Sequence, residues 1–228
     1  MKKVAVLQSN YIPWKGYFDL INMVDEFILY DDVQFTKNDW RNRNRIKTSQ
    51  GIQWLTIPVY HSIDQEIRDI KVSQKNWNIK HWRTLQNNYA KAPFFNLYQK
   101  IFSDAYAGIQ SENLSEINRT FLEVINTILG IKTRLSWVWE YNVPGDRNER
   151  LINLCKAVGG DCYLSGPAAQ NYLDVELFKK AGIQVEWMDY SGYPEYKQLY
   201  PPFEHGVTIL DLLFNAGDST GNYMKSFL

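Results

Sequence analysis

The chain is expected to fold as an α/β protein, a doubly wound and mostly parallel Rossmann-like sheet carrying an inserted hairpin and helical region. Three observations predict this. Two short apolar runs, Val4–Leu7 and Phe27–Tyr30, flank one helical stretch, which makes a βαβ unit of about 30 residues. Strand-like and helical segments alternate again from residue 133 onward, the pattern of a parallel sheet covered by helices. Polar or small residues follow directly on three apolar runs: Gln8-Ser9-Asn10, Asp31-Asp32 and Ser165-Gly166. Strand C-terminal ends are where open α/β sheets bind ligands.

Each element has its own warrant. Residues 3–8 are short, apolar and rich in β-branched side chains, as a buried parallel strand requires. Pro13 interrupts the chain, Tyr17–Val24 reads as a helix, and residues 26–34 read as the second strand. Residues 52–59 alternate like a strand, with Pro58 pointing to an edge or an end, and Ile67–Val72 is a candidate partner. Residues 77–90, 94–107 and 113–129 show helical spacing, the last closed by Gly130 in the position of a C′ glycine. Residues 133–139 return to strand character, 147–158 and 171–181 are helical, and 161–166 and 183–190 are strands. Residues 191–206 hold three prolines and no periodicity, so a loop is expected before a helix that starts near Thr208.

A length of 228 residues suits one domain, 1–228, with the insert at about residues 50–130. The 25 basic and 25 acidic residues cancel, so no overall field favours nucleic acid or an anionic membrane. Cys155 and Cys162 form neither a CxxC pair nor a disulfide framework, which fits a reduced protein of the cytoplasm. Polar Gln8, Ser9 and Asn10 end the first apolar run too early for a signal peptide, and no run reaches the 18 apolar residues of a membrane span.

The site candidates cluster near the N-terminus. Gln8, Asn10, Tyr11, Trp14, Gly16 and Tyr17 follow the first strand and open a helix, a layout that presents backbone N–H groups to phosphate. Asp31 and Asp32, with Gln34, follow the second strand, where carboxylates hold hydroxyls, an amine or a metal ion, or simply cap a turn. Lys37, Arg41, Arg43, Asn44 and Arg45 follow; if that run is extended, its three arginines share one face and suit an anion. Lys80 and His81 lie on a later helix, His81 as a candidate base, and Ser165-Gly166 is a third strand end. Three histidines scattered at 61, 81 and 205 imply no metal site, and neither GxGxxG, nor a Walker A motif, nor GxSxG occurs.

Several of these stretches carry a resemblance. Gln8–Phe18 (QSNYIPWKGYF), Asp31–Lys47 (DDVQFTKNDWRNRNRIK), Trp54–Val59 (WLTIPV), Tyr163–Phe178 (YLSGPAAQNYLDVELF) and Gly206–Gly217 (GVTILDLLFNAG) together resemble the WbqC-like protein family over nearly the whole chain. That resemblance implies a bacterial protein of O-antigen or other surface-polysaccharide biosynthesis, attaching an amino-acid-type acyl group to an amino sugar. The Pro13–Phe18 turn also looks like the HxGH turn of nucleotidyltransferases and class I aminoacyl-tRNA synthetases, but Trp14 and Tyr17 stand where the two histidines would be. Under that likeness a cation among Lys15, Lys37, Arg41, Arg43 and Arg45 must stabilise the phosphates.

The expected function is therefore a transferase or amide ligase that binds a nucleotide or nucleotide-linked amino sugar. Asp31, Asp32, Lys37 and His81 are its expected catalytic groups. The cofactor stays open, with ATP or another nucleotide and Mg²⁺ as the candidate. The rival readings are a non-catalytic binding or assembly module and an RNA-linked, synthetase-like protein. Zero net charge counts against the last.

Overall fold

The computed structural model of the protein describes residues 1–228. Five strands form a wholly parallel sheet: β1 (Lys3–Leu7), β2 (Glu26–Leu29), β7 (Arg134–Trp137), β8 (Cys162–Ser165) and β9 (Gln184–Trp187). Their order is β7-β2-β1-β8-β9. The chain builds outward from β1 through β2 to β7, then returns across the sheet to lay β8 on the other side of β1. The direction of winding thus reverses between β1 and β8, and a doubly wound sheet opens a crevice there.

Strand alternation distributes the core over both faces. Val4, Val6 and Ile28 point to the face covered by α5 (Arg147–Ala157) and α6 (Val175–Lys180), packing with Ile152, Cys155 and Phe178. Ala5, Phe27 and Leu29 point to the opposite face, covered by α1 (Lys15–Asn22) and α7 (Ile209–Ala216). The cluster on that second face runs unbroken into the insert through Leu85, Phe102 and Phe121, so sheet and insert share one packed interior.

The insert leaves the sheet after β2. It begins with an antiparallel hairpin, β3 (Arg43–Thr48) and β4 (Gly51–Thr56), in which Arg43 faces Thr56 and Thr48 faces Gly51. A two-residue pair of strands follows, β5 (Val59–Tyr60) and β6 (Lys71–Val72), and then α2 (Trp77–Tyr89), α3 (Phe95–Gly108) and α4 (Leu114–Leu129). Asn113 caps α4 by accepting from the Glu116 N–H, and Gly130 closes it at φ 73°, the left-handed geometry expected of a C′ glycine.

Several expectations need correction. Within 52–59, Ile52–Thr56 pair with residues 43–47; only Val59 meets β6, opposite Val72, and Ile67–Asp69 is a 3₁₀ turn. The charged run 41–48 hides a strand because arginines and asparagines dominate it, while its partner supplies the apolar alternation. The second strand stops at Leu29, and α1 starts at Lys15, two residues early. The helix expected over 171–181 shrinks to α6, preceded by a 3₁₀ turn at Pro167–Asn171, because Asp174 starts a fresh helix by capping the Leu177 N–H. No helix is long and apolar enough to cross a membrane.

Candidate functional site

Three segments meet above the C-terminal end of β1. The first is the loop Gln8–Trp14. Ile12 sits at φ 41°, a left-handed conformation that a β-branched residue adopts only when its surroundings impose it. The imposing group is buried Asn44, whose side-chain amide donates to the carbonyls of Tyr11 (3.0 Å) and Ile12 (2.8 Å). Asn44 comes from β3, the second segment. The third is the long strap between β9 and α7, tied on by Thr208 N–H to Arg45 O and Ile209 N–H to Pro13 O, each 2.9 Å.

These segments enclose a cleft of about 290 Å³. Trp14 and Pro13 form one wall and Trp40 another; Asn10, Asn44 and Arg45 add polar groups, and His205 and Gly206 come from the strap. Trp14 is held edge-to-face by Tyr190 (5.2 Å) and Tyr193 (5.6 Å). A Cβ on Gly16 would lie 2.4 Å from the Trp14 ring, so the missing side chain makes room for the indole. Trp40 stacks at a tilt on Trp54 (5.3 Å), and the Arg43 guanidinium lies 4.1 Å above Trp54. Arg45 Nε donates to Gly206 O (2.8 Å), and a Cβ at 206 would press on that guanidinium and displace it.

Arg41 precedes β3, so it does not share a strand face with Arg43 and Arg45. It donates instead to Asn10 Oδ1 and to Gln8 Oε1 (3.1 Å), and pairs with Asp39 at 3.5 Å. That arrangement fixes the two amide side chains at the β1 end. Gln8, Asn10, Trp14, Gly16, Arg41, Arg43, Asn44 and Arg45 therefore converge in or beside one cleft.

The remaining candidates are placed elsewhere. Tyr11 is fully buried, and His81 is buried beside it. His81 Nε2–H donates to Thr56 O (3.1 Å), and Nδ1 accepts from the Tyr11 hydroxyl (2.9 Å), which also meets Tyr106. Burial pushes the His81 imidazole down to about 4, so both ring nitrogens serve the core. Tyr17 is buried with its hydroxyl on Gln8 O (2.9 Å). Asp31 accepts from Ser9 N–H (2.8 Å) and the Ser115 hydroxyl, and burial raises its pKa against those bonds. Asp32 pairs with Arg150. Gln34 and Lys37 lie on the rim of a separate shallow depression with His61, and Lys80 is exposed on α2. Ser165 and Gly166 do sit at the β8 end, where the Tyr190 ring passes 3.9 Å from a Cβ position at Gly166.

No three His, Cys, Asp or Glu side chains are grouped to hold a metal ion.

Four lining residues were not singled out from sequence: Pro13, Trp40, His205 and Gly206. Trp40 lay inside the arginine-rich run and had the signal of an aromatic among cations. Gly206 opens the Gly206–Gly217 stretch of the family resemblance but was given no role, and His205 had no signal, because only the strap's path brings them to the cleft.

The model of the WbqC-like protein family matches residues 8–223. The chain belongs to the WbqC-like protein family. Within the WbqC-like family it is 50% identical over 227 residues to the uncharacterized protein Rv1507c of Mycobacterium tuberculosis, covering 99% of this chain and 98% of that one. No solved structure matches the chain.

Proposed function

We propose that this WbqC-like protein is a cytoplasmic enzyme of surface-glycan biosynthesis. It binds a nucleotide or nucleotide-linked amino sugar in the Trp14–Trp40 cleft and joins an amino-acid-type acyl group to the sugar nitrogen as an amide. The observation that carries the binding part is the composition of the cleft: two tryptophan walls, two asparagine amides and Arg45 at the C-terminal end of β1. Aromatic walls suit a planar base or a sugar face, the Asn10 amide suits amide and hydroxyl edges while Asn44 holds the loop, and a guanidinium fork matches phosphate oxygens.

Amide formation requires a proton to leave the attacking amine. His81 is committed to the core, so we assign this task to His205, which lines the cleft with its ring edge-to-face on Phe203 (4.6 Å). Arg45 and the backbone N–H groups of the β1 loop would meet the phosphates. Trp14 and Tyr17 offer no cation, so the reading rests on an acyl group activated elsewhere, as a thioester or acyl phosphate, in place of adenylation by the loop itself. The amine nitrogen bonds to the acyl carbon, the acyl–sulfur or acyl–oxygen bond breaks, and the thiolate or phosphate leaves while the amine's proton passes to the base.

A second reading, a non-catalytic binding module, is favoured by one observation: Asp31, Asp32 and His81 are all engaged away from the cleft. Thermal melting against ATP, CTP, UTP, UDP-sugars and dTDP-sugars, each with and without Mg²⁺, tests both. Binding at 100-fold excess over Kd adds about 2.7 kcal/mol of stability. A shift abolished by Arg45→Ala, with turnover of an amino-sugar ligand lost in His205→Ala, supports the enzyme. A shift with no turnover under any acyl donor supports the module.

A further inference from the structure

We infer that the ligand carries a diphosphate, laid along β3 across Arg45 and then Arg43, with one terminal group in the cleft and the other outside it. This rests on the reading that the cleft takes a nucleotide. At about 290 Å³ the cleft is at the small end of ligand-burying sites, room for one compact group and not for a two-part conjugate. Whatever else the ligand carries must leave past the lining residues.

Arg45 lines the cleft, and Arg43, two positions earlier on β3, does not. Residues i and i+2 of a strand share a face about 7 Å apart, so the two guanidiniums form a short cationic track leading out of the cleft. Arg43 is the arginine of the three that has no carboxylate within salt-bridge distance; Arg41 has Asp39 at 3.5 Å and Arg45 has Glu204 at 3.9 Å. Its contacts are Asn38 and the Trp54 ring at 4.1 Å, and its buried Nε has no partner. Stacking on Trp54, itself stacked on the cleft wall Trp40, holds this cation in place without neutralising it. A monophosphate seated at Arg45 would leave Arg43 unused, whereas a diphosphate reaches both.

Isothermal titration with the mono- and diphosphates of uridine, thymidine, adenosine and guanosine tests this on the wild type, Arg43→Ala, Arg43→Lys and Arg45→Ala. For at least one nucleoside, the wild type should bind the diphosphate at least 10-fold tighter than the monophosphate. Arg43→Ala should remove that advantage while leaving monophosphate affinity within about twofold, Arg43→Lys should keep part of it, and Arg45→Ala should weaken both ligands. If Arg43→Ala folds poorly, the diphosphate-to-monophosphate ratio in Arg43→Lys decides. An unchanged ratio in the Arg43 variants, or equal wild-type affinities, overturns the diphosphate track and leaves the cleft reading standing. No binding of any nucleotide to the wild type overturns both.

Discussion

Asn44 illustrates how one side chain sets the site. Its amide satisfies two carbonyls on a loop that would otherwise relax from the left-handed Ile12 conformation. Asn44→Ala leaves both carbonyls buried without a donor and should cost about 2–3 kcal/mol, measured by urea unfolding. Ile12→Gly removes the φ penalty but also a buried core side chain, so the double variant should be no more stable than Asn44→Ala alone. His81 gives a pH prediction. Its folded pKa, about 4, lies below the usual 6.5, so acid protonates the unfolded state first. The stability contributed by neutral His81 is complete above pH 6.5 and falls by about 3 kcal/mol as pH drops through 4. His81→Gln, which keeps a donor and an acceptor but does not titrate, should flatten that decline between pH 6.5 and 4; an unaltered slope would place the titration elsewhere. From sequence, Asn44 was readable as a site residue but not as a clamp, and His81 looked available because its partners Tyr11, Tyr106 and Thr56 are distant in the chain.

The elements differ in how plainly the sequence announced them. β1, α4 and β8 were clear because periodicity, caps and flanking small residues agreed. The β3–β4 hairpin was not, since Arg43, Asn44 and Arg45 read as a charged loop until Thr56, Leu55 and Trp54 are seen opposite them. The loop expected over 191–206 is irregular, and the strand expected over 183–190 ends at Trp187, so the strap is longer at its start than the sequence suggests; nothing in its composition says that it covers the cleft. Buried Asp211 anchors it, accepting from Tyr196 (2.7 Å), Gln198 (2.9 Å) and Tyr89 (2.9 Å). Asp211→Ala strands three buried donors and should loosen the strap more than the sheet. Limited proteolysis should then cut first within 191–206, while the wild type resists; first cleavage elsewhere would show that the strap is held by other contacts. Lys15 offers a further reason for strap order. Its buried ammonium donates to Pro194 O (3.1 Å), lies 4.8 Å above Tyr193, and is pushed down by burial to about 8.

For the molecule as a whole, the sheet order β7-β2-β1-β8-β9 explains why one end of the sheet gathers the chemistry. Parallel strands deliver their C-terminal ends to one edge, and the reversal at β1 leaves that edge open. The insert and the strap then wall the opening with Trp40, Arg45 and His205. The parallel sheet was readable from alternating elements, and the N-terminal cluster from polar residues at strand ends. Which of the strand-end residues face the cleft was not, because that depends on tertiary pairing: Asp31 turns to Ser9 and Ser115, and Asp32 to Arg150. The measurement that decides the matter is calorimetric titration of nucleotides and nucleotide-linked sugars into the wild type and Arg45→Ala. Saturable binding of at least one of these ligands, weakened at least 10-fold by Arg45→Ala with the fold intact, is the predicted result. Absence of binding to the wild type, or equal affinity in the variant, would contradict a nucleotide site in the Trp14–Trp40 cleft.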